Sequence, residues 1–181
     1  MNKKQHKQTS KFLSLILRHS PETIDLVLDE NGWAKVEDIL ANKKLRISFE
    51  DLKEVVKNCD KQRFTLNENN TKIRANQGHS LKNVDLQFTA VKPPALLYHG
   101  TVDKFMDAIK EVGLKKMSRQ HVHLSEEKET AIKVGSRRGK PVILTVDSGE
   151  MNNQGIEFYQ SDNGVWLTDN VPSNFIDFNE E

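Results

Sequence analysis

The chain has 181 residues, of which 36% are hydrophobic and 29% are charged, and its formal net charge is +1. No run approaches the roughly 20 apolar residues that cross a bilayer, and the polar, basic N-terminus lacks a signal-peptide pattern. These properties exclude a membrane-embedded protein and predict a soluble globular chain that works in the cytoplasm without membrane contact.

The charge is divided unevenly along the chain. Residues 1–92 carry 17 basic and 12 acidic side chains, whereas residues 93–181 carry 10 and 14. The split indicates two lobes, of which the basic one is the better candidate for a polyanion, and chance scatter over one domain is the alternative. Cys59 is the sole cysteine, which excludes an internal disulfide and a Cys-rich metal site. We interpret it as a reduced structural thiol.

The first part of the chain predicts helices followed by a β-hairpin. Apolar residues recur at helical spacing in three places, and a polar, Asn-rich stretch separates two short extended segments. The predicted elements are a helix capped at Thr9 or Ser10 and ended by Ser20-Pro21, a short segment at Trp33–Lys35, helices at Val36–Ala41 and Phe49–Val56, and hairpin strands at Arg63–Leu66 and Lys72–Ala75. This order is typical of a winged helix.

Pro93 and Pro94 interrupt the pattern, and we place the boundary between residues 1–92 and 93–181 there. The second part predicts a mixed α/β lobe without internal repeats. Its predicted strands are Leu96–His99, Val122–Ser125, Val142–Val146 and Val165–Leu167, and its predicted helices are Val102–Val112 and Lys128–Val134.

Three basic motifs are candidates for phosphate binding. Arg18-His19 places a permanent cation and a titratable imidazole at a helix end, where C-terminal capping is the simpler explanation. Lys61-Gln62-Arg63 begins the hairpin, and Gly135–Gly139 encloses a basic dipeptide. Arginine suits phosphate because its planar guanidinium donates paired hydrogen bonds. Convergence on one phosphate and separate solvated arginines both remain open.

Two further motifs indicate a small-ligand site. His99 ends an apolar strand, Gly100 allows close approach of a ligand, and Thr101 can cap the next helix; an ordinary strand-to-helix turn explains the same residues. In the other motif, strand alternation puts His121, His123 and Ser125 on one face. A metal at these histidines is not expected because no carboxylate or thiol completes a ligand set. Gly-x-Gly-x-x-Gly and Gly-Lys-Ser/Thr loops are missing, so the common nucleotide-binding folds lack support.

Seven motifs in this order resemble the RNA 2′-phosphotransferase family over about Ser10 to Thr168. They are Ser10–Ser14 with Leu17-Arg-His19, Lys61-Gln-Arg-Phe64, Ile73-Arg-Ala-Asn-Gln-Gly-His-Ser80, His99-Gly-Thr101, Val122-His-Leu-Ser125, Gly135–Gly139 and Gly164-Val-Trp-Leu-Thr168.

The resemblance implies a winged-helix RNA lobe and an ADP-ribosyltransferase-like lobe, with the 2′-phosphate presented in the cleft between them. NAD+ would be consumed as co-substrate, without a metal. The partner would be a tRNA-like RNA carrying an internal 2′-phosphate left by splicing, and we expect a monomer. Activity would pass through an RNA 2′-phospho-ADP-ribose intermediate and give 2′-OH RNA, nicotinamide and ADP-ribose 1″,2″-cyclic phosphate.

The resemblance also carries over site residues. The family's catalytic Arg-His-Arg-Arg set matches Arg18, His19, Arg63 and Arg137. Arg138 stands where many relatives carry histidine, which leaves open which of the two arginines contacts phosphate. Residues matching the NAD site are His99, Gly100, Thr101, His123, Leu124, Ser125 and Val165; the signature within it is His99, His123 and Val165. Further RNA or phosphate candidates, in or beside the motifs, are Arg74, Gln77, His79, Ser80, Arg119 and Arg138.

Two alternative functions are considered. The same lobe could cap terminal phosphates of RNA or DNA with ADP-ribose, because a similar site can present either anion. Alternatively, the basic winged helix could act as a non-catalytic nucleic-acid-binding module. Nicotinamide release in the presence of NAD+ separates an enzyme from a binding module.

Overall fold

The computed structural model describes residues 1–43, 45–59 and 61–178. The chain forms two compact units, Met1–Gln87 and a second that begins at Phe88. Both units combine short helices with small antiparallel sheets, which confirms the predicted mixed α/β class. Within the residues described, no helix is both long and apolar enough to span a membrane.

The first unit contains three α-helices and one three-stranded sheet in its described residues. In chain order these elements are α1 (Lys3–Arg18), β1 (Ala34–Lys35), α2 (Val36–Ala41), α3 (Phe49–Lys57), β2 (Phe64–Leu66) and β3 (Lys72–Ala75). The strand order is β1-β3-β2, and both pairings are antiparallel. The predicted second and third helices and the hairpin are therefore confirmed. The core of the unit includes Leu13, Ile16, Leu17, Ile39, Leu52, Phe64 and Ile73.

The start of α1 differs from the expectation. The predicted cap at Thr9 or Ser10 is wrong, because the helix begins at Lys3. Asn2 caps it: the Asn2 side chain accepts from the Gln5 backbone N–H at 2.9 Å, and the Gln5 side chain accepts from the Asn2 N–H at 3.1 Å. This reciprocal capping box supports a polar first turn that apolar periodicity cannot reveal. The predicted end of the helix is confirmed.

The second unit contains three small sheets in its described residues. Its elements are β4 (Leu97–Val102), α4 (Met106–Val112), β5 (Leu114–Lys115), β6 (Val122–Leu124), α5 (Lys128–Gly135), β7 (Pro141–Val146), α6 (Ser148–Asn153), β8 (Tyr159–Gln160), β9 (Trp166–Thr168), β10 (Asn170–Val171) and β11 (Ile176–Asp177). The strand orders are β11-β7-β4, β6-β9-β8 and β10-β5. A single antiparallel bridge between Tyr98 and Ser125 brings β4 beside β6.

Two expectations for this unit are corrected. Strand β4 continues to Val102, so the predicted helix over 102–112 begins later, at Met106, after a 3₁₀ turn at Asp103–Phe105. Thr101 therefore lies inside a strand and does not cap a helix; it is only 8% exposed. The sequence also did not predict α6, β5, β8, β10 and β11, which are too short to show a periodic pattern.

Gly100 has a packing role that the sequence did not indicate. A Cβ at this position would collide with the carbonyl oxygen of Ala131 and lie 2.9 Å from the backbone nitrogen of Gly135, both in α5. The missing side chain thus lets helix α5 pack directly on strand β4. Because His99 directly precedes Gly100 in β4, the packing of α5 on this strand also fixes the position of His99.

Candidate phosphate and nucleotide sites

The C-terminal end of α1 presents Arg18 and His19, and a later segment holds both. The backbone N–H of Ser80 donates to the carbonyl of Arg18 at 3.0 Å, and Ser80 Oγ lies 3.0 Å from Nδ1 of His19. The N–H of His19 itself donates to the carbonyl of Leu15 at 2.9 Å, which makes His19 the C-cap. Ser80 therefore orients the imidazole of His19 through Nδ1. This contact gives Ser80 a structural role in addition to the predicted one in RNA or phosphate binding.

Arg63 joins this group from the start of the hairpin. Arg18 donates through Nη2 to the carbonyl of Arg63 at 3.4 Å, and its guanidinium lies 5.9 Å from the ring centroid of Phe64. Arg63 donates through Nη1 to Sγ of the buried Cys59 at 3.2 Å. The structure thus brings together three of the four predicted catalytic residues, all within the first unit. It also gives Cys59 a role that the sequence did not reveal.

His79 is fully buried beneath these cations. Burial is the main reason that the pKa of His79 falls to about 4, and Arg18, His19 and Arg74 lower it further, whereas the Leu17 carbonyl raises it. Neither ring nitrogen makes a hydrogen bond of good geometry with a described residue. His79 is therefore neutral at pH 7, and a direct contact with RNA would require its side chain to leave the core.

The other candidates in this segment are more accessible. The guanidinium of Arg74 stacks on the ring of Trp33 at 4.8 Å, and the side chains of Arg74 and Gln77 are half-buried. Stacking of this kind holds a guanidinium plane without neutralising its charge. Their assignment to RNA or phosphate binding stays a prediction.

In the second unit, His99 and His123 lie side by side on β4 and β6. Nδ1–H of His99 donates to the backbone carbonyl of His123 at 3.0 Å. Burial lowers the pKa of His99, the His123 carbonyl raises it, and Arg119 and Arg138 lower it further. The net effect is a lowered pKa, so a neutral imidazole whose Nε2 accepts hydrogen bonds is the favoured form.

Arg119 contacts the second histidine and belongs to a group of arginines. Its Nη1 donates to Nδ1 of His123 at 2.8 Å. The pKa of Arg119 is lowered mainly by burial and further by the charges of Arg138 and Arg137, although the residue as a whole is exposed. Within the described residues, no carboxylate lies within ion-pair distance of these three arginines. A cationic group without a counter-charge favours binding of an anion.

The arginines of the Gly135–Gly139 segment differ in their surroundings. Helix α5 ends at Gly135, and both Arg137 and Arg138 follow on its exposed C-terminal side. The guanidinium of Arg138 lies 5.9 Å from the ring centroid of Phe105. Arg138 is thus partly held by an aromatic ring, whereas no described ring or carboxylate holds Arg137.

The remaining candidates for the NAD site differ in what they can offer. Val122 and Leu124 are buried, whereas His121, His123 and Ser125 are half-buried, which confirms the predicted alternation. Leu124 could contact a ligand only through its backbone. The backbone of Ser125 exchanges two hydrogen bonds of 2.8 Å with Tyr98. Val165 is half-buried and lies just before β9.

The sequence missed the contacts that link these residues. Arg119 and His123 are four positions apart, a spacing that would not bring them together in a strand. They meet because the chain turns at Met117, whose φ is +55°, and the Arg119 N–H then donates to the carbonyl of Lys116 at 3.0 Å. A ring cluster of Phe88, His121 and Tyr159, with centroids 5.6 to 6.5 Å apart, was also not predicted. No composition signal marks either arrangement.

Comparison with known proteins gives one consistent result. The model of the family described as RNA 2′-phosphotransferase, Tpt1 / KptA family, matches residues 4–170. A probable RNA 2′-phosphotransferase of Flavobacterium johnsoniae is 59% identical, covering 98% of this chain and 99% of its own. Proteins with the same description from Rhodopirellula baltica and Fusobacterium nucleatum are 50% and 51% identical, covering 97% and 93% of this chain and 97% and 96% of their own. The chain belongs to the RNA 2′-phosphotransferase family.

Proposed function

We propose that the chain transfers an RNA 2′-phosphate to NAD+, giving 2′-OH RNA, nicotinamide and ADP-ribose 1″,2″-cyclic phosphate. Family membership supports the removal of an RNA 2′-phosphate. The dependence on NAD+ is supported by one observation: Arg119 and Arg138 lie without a carboxylate partner near His99, whose Nε2 can accept a hydrogen bond from a ribose hydroxyl. Cations suited to a pyrophosphate and a neutral acceptor suited to a sugar fit a dinucleotide.

The fold assignments belong to the same proposal. Helices α1 to α3 followed by the β2–β3 hairpin support a winged helix in the first unit, which is net basic whereas the rest of the chain is net acidic. The small sheets with His99 and His123 on adjacent strands support an ADP-ribosyltransferase-like second unit. As substrate we propose a tRNA-like RNA with an internal 2′-phosphate at a splice junction.

In the first step, an oxygen of the RNA 2′-phosphate attacks the ribose carbon that carries nicotinamide, and nicotinamide leaves with the electron pair of the broken bond. The sugar gains cationic character, so this step needs a firmly held ribose rather than a strong base. Nε2 of His99 accepts a hydrogen bond from a ribose hydroxyl. Gly100 follows His99 in β4, and Ser125 follows directly after β6. The phosphate then bridges RNA and ADP-ribose.

In the second step, the 2″-hydroxyl of that ribose attacks the bridging phosphorus, and the RNA 2′-oxygen leaves and takes up a proton. Charge increases on the phosphate oxygens, which Arg18, Arg63 and Arg137 stabilise. His19 is the group that can move the proton, because Ser80 orients its imidazole through Nδ1.

The test uses an oligonucleotide with one internal 2′-phosphate, incubated with the full chain with and without NAD+. We expect NAD-dependent conversion to 2′-OH RNA, with nicotinamide and ADP-ribose cyclic phosphate formed in equal amounts, measured by mass spectrometry. The control is the same oligonucleotide with its phosphate at the 5′ or 3′ end. Conversion without NAD+, or none at all, would overturn the proposal.

The same experiment separates the two alternative functions. Modification of terminal but not internal phosphate would indicate an enzyme that caps nucleic-acid ends with ADP-ribose. RNA binding without nicotinamide release at saturating NAD+ would indicate a binding module. The uncompensated arginines near His99 favour an enzyme over a module, because a winged helix alone would not require them.

A further inference from the structure

Asn76 is a buried amide in the motif at residues 73–80, and it has no part in the proposed reaction so far. Only 5% of the residue is exposed, and its side chain contacts the turn that precedes Arg63. Nδ2 of Asn76 donates to the carbonyl of Gln62 at 2.7 Å, and Oδ1 accepts from the hydroxyl of Thr65 at 2.7 Å. A carbonyl can only accept, so this orientation of the amide is the one that satisfies both contacts.

The backbone that Asn76 holds is strained. Gln62 has a φ of +41°, a left-handed conformation that residues other than glycine seldom adopt because their Cβ crowds the backbone. The N–H of Gln62 donates to the carbonyl of Cys59 at 2.7 Å, and the carbonyl of Gln62 accepts from Asn76. Strain of this kind persists only where the surrounding contacts determine the backbone, and it is concentrated at functional sites.

Arg63 is the residue whose position follows from this turn. The backbone N–H of Asn76 donates to the carbonyl of Arg63 at 2.9 Å, which is shorter than the 3.4 Å contact of Arg18 with the same carbonyl. The guanidinium of Arg63 is held by its 3.2 Å bond to Sγ of Cys59, and a thiol is a weak acceptor. The direction of the guanidinium therefore depends mainly on its backbone, which Asn76 holds through both its main chain and its side chain.

We propose that Asn76 is a positioning residue: by holding the turn at Gln62 and Arg63, it presents the guanidinium of Arg63 to the RNA 2′-phosphate. A displacement of about 1 Å at a group of this kind can cost about a hundredfold in rate. The identity of the anion rests on the proposed function. The hydrogen bonds that hold the turn do not depend on it.

The first measurement is equilibrium binding, without NAD+, of an RNA with one internal 2′-phosphate and of the same RNA with a 2′-OH. The ratio of the two Kd values isolates the contribution of the phosphate. Asn76→Ala should lower this ratio about fivefold and Arg63→Ala about tenfold, the effect of one lost charge-assisted hydrogen bond. In the Arg63→Ala background, Asn76→Ala should change it less than about twofold, because residues that act through one another are not additive. No change, or an equal change in both backgrounds, would overturn the proposal.

Two further variants separate positioning from a general loss of stability. Glycine adopts a left-handed φ without strain, so adding Gln62→Gly to Asn76→Ala should restore most of the lost ratio. Asn67→Ala is the matched control: it removes the side-chain hydrogen bonds to Thr71 and to the Lys72 N–H in the turn of the same hairpin, and it should leave the ratio unchanged. Thermal unfolding measures the stability of each variant. No recovery in the double variant, or an equal loss of phosphate binding in Asn67→Ala, would contradict the positioning role.

The last measurement is steady-state turnover with NAD+. Asn76→Ala should slow the release of 2′-OH RNA about tenfold and leave the KM for NAD+ within about twofold. Thr65→Val removes only the hydroxyl that holds Oδ1 of Asn76, so it should cause a smaller loss in the same direction, and it tests the same contact should Asn76→Ala not fold. A raised KM for NAD+ with an unchanged kcat would count against positioning of Arg63. The expected binding ratios without any NAD-dependent turnover would count against the proposed function alone.

Discussion

At the scale of single residues, a neutral histidine lies beneath permanent cations. His79 is excluded from water, and Arg18, His19 and Arg74 lie close enough to lower its pKa. A charged ring in that position would be repelled by Arg18 and Arg74, so the folded unit excludes the proton. Because the folded unit excludes this proton, the stability of the folded chain depends on pH.

His79 should make the chain less stable as the pH falls. Its pKa is about 4 when folded and 6.5 when unfolded, so between these values the unfolded chain binds the extra proton and stability is lost as pH decreases. From pH 7 to pH 5 the loss should be about 2 kcal/mol. Urea unfolding at both pH values measures it, and His79→Gln should remove that part of the difference. An equal difference in both proteins would contradict this origin.

At the scale of elements, the contact between β4 and α5 determines the position of His99, a candidate residue of the proposed nucleotide site. Gly100 and Gly135 face one another across this contact, where two backbones meet without intervening side chains. Close backbone packing leaves little freedom for adjustment because interiors are densely filled. Substitution there should therefore act on stability and on His99 together.

Gly100→Ala should destabilise the chain by about 3 kcal/mol, because the new methyl group collides with the Ala131 carbonyl and the helix has to shift. Gly155→Ala is the matched comparison: no atom lies within 4 Å of its Cβ, but φ is +89°, so only backbone strain of about 1 kcal/mol is added. Thermal unfolding compares the two. Equal losses would show that packing against α5 is not the reason for Gly100.

The elements also show what the sequence could and could not predict. Helices with a repeating apolar face, such as α3, and the hairpin around the Asn-rich turn follow from local pattern and turn chemistry. The first turn of α1 does not, because a polar capping box determines its start. Thr101 resembles a helix cap because it precedes a helical pattern, but pairing with β7 extends the strand through it.

The candidate site was predictable in its residue types but not in its contacts. Arg18, His19 and Arg63 could be named from motif order, and the structure places them in one network. The bonds from Arg63 to Cys59 and from Arg119 to His123 depend on loops whose backbone conformation no pattern specifies. Long-range partners of this kind require the tertiary fold.

At the scale of the whole molecule, the proposed reaction divides between residues of the two units. Arg18, His19 and Arg63 lie in the first unit, whereas Arg137 and the paired histidines lie in the second. The first step depends mainly on the held ribose, and the second depends on arginines and a proton carrier. Variants should therefore separate the two steps.

His19→Ala and Arg137→Ala should each slow release of 2′-OH RNA by about a hundredfold, the contribution of one acid–base or electrostatic group, while nicotinamide release changes only a few-fold. The ADP-ribosylated RNA should then accumulate, and mass spectrometry follows both products. Arg138→Ala is the matched comparison for Arg137, because its guanidinium lies against Phe105. Equal loss of both products would contradict the division of steps.

The burial of Cys59 has a practical consequence for measuring the molecule. As the sole cysteine, only 5% exposed, it is shielded from thiol reagents while the first unit is folded. Its rate of alkylation therefore reports how often that unit opens, without any added label. Because the buried Cys59 does not react, a single cysteine introduced on the surface, for example at the exposed Met117, can be labelled selectively. A fluorophore at this position would follow ligand binding near Arg119.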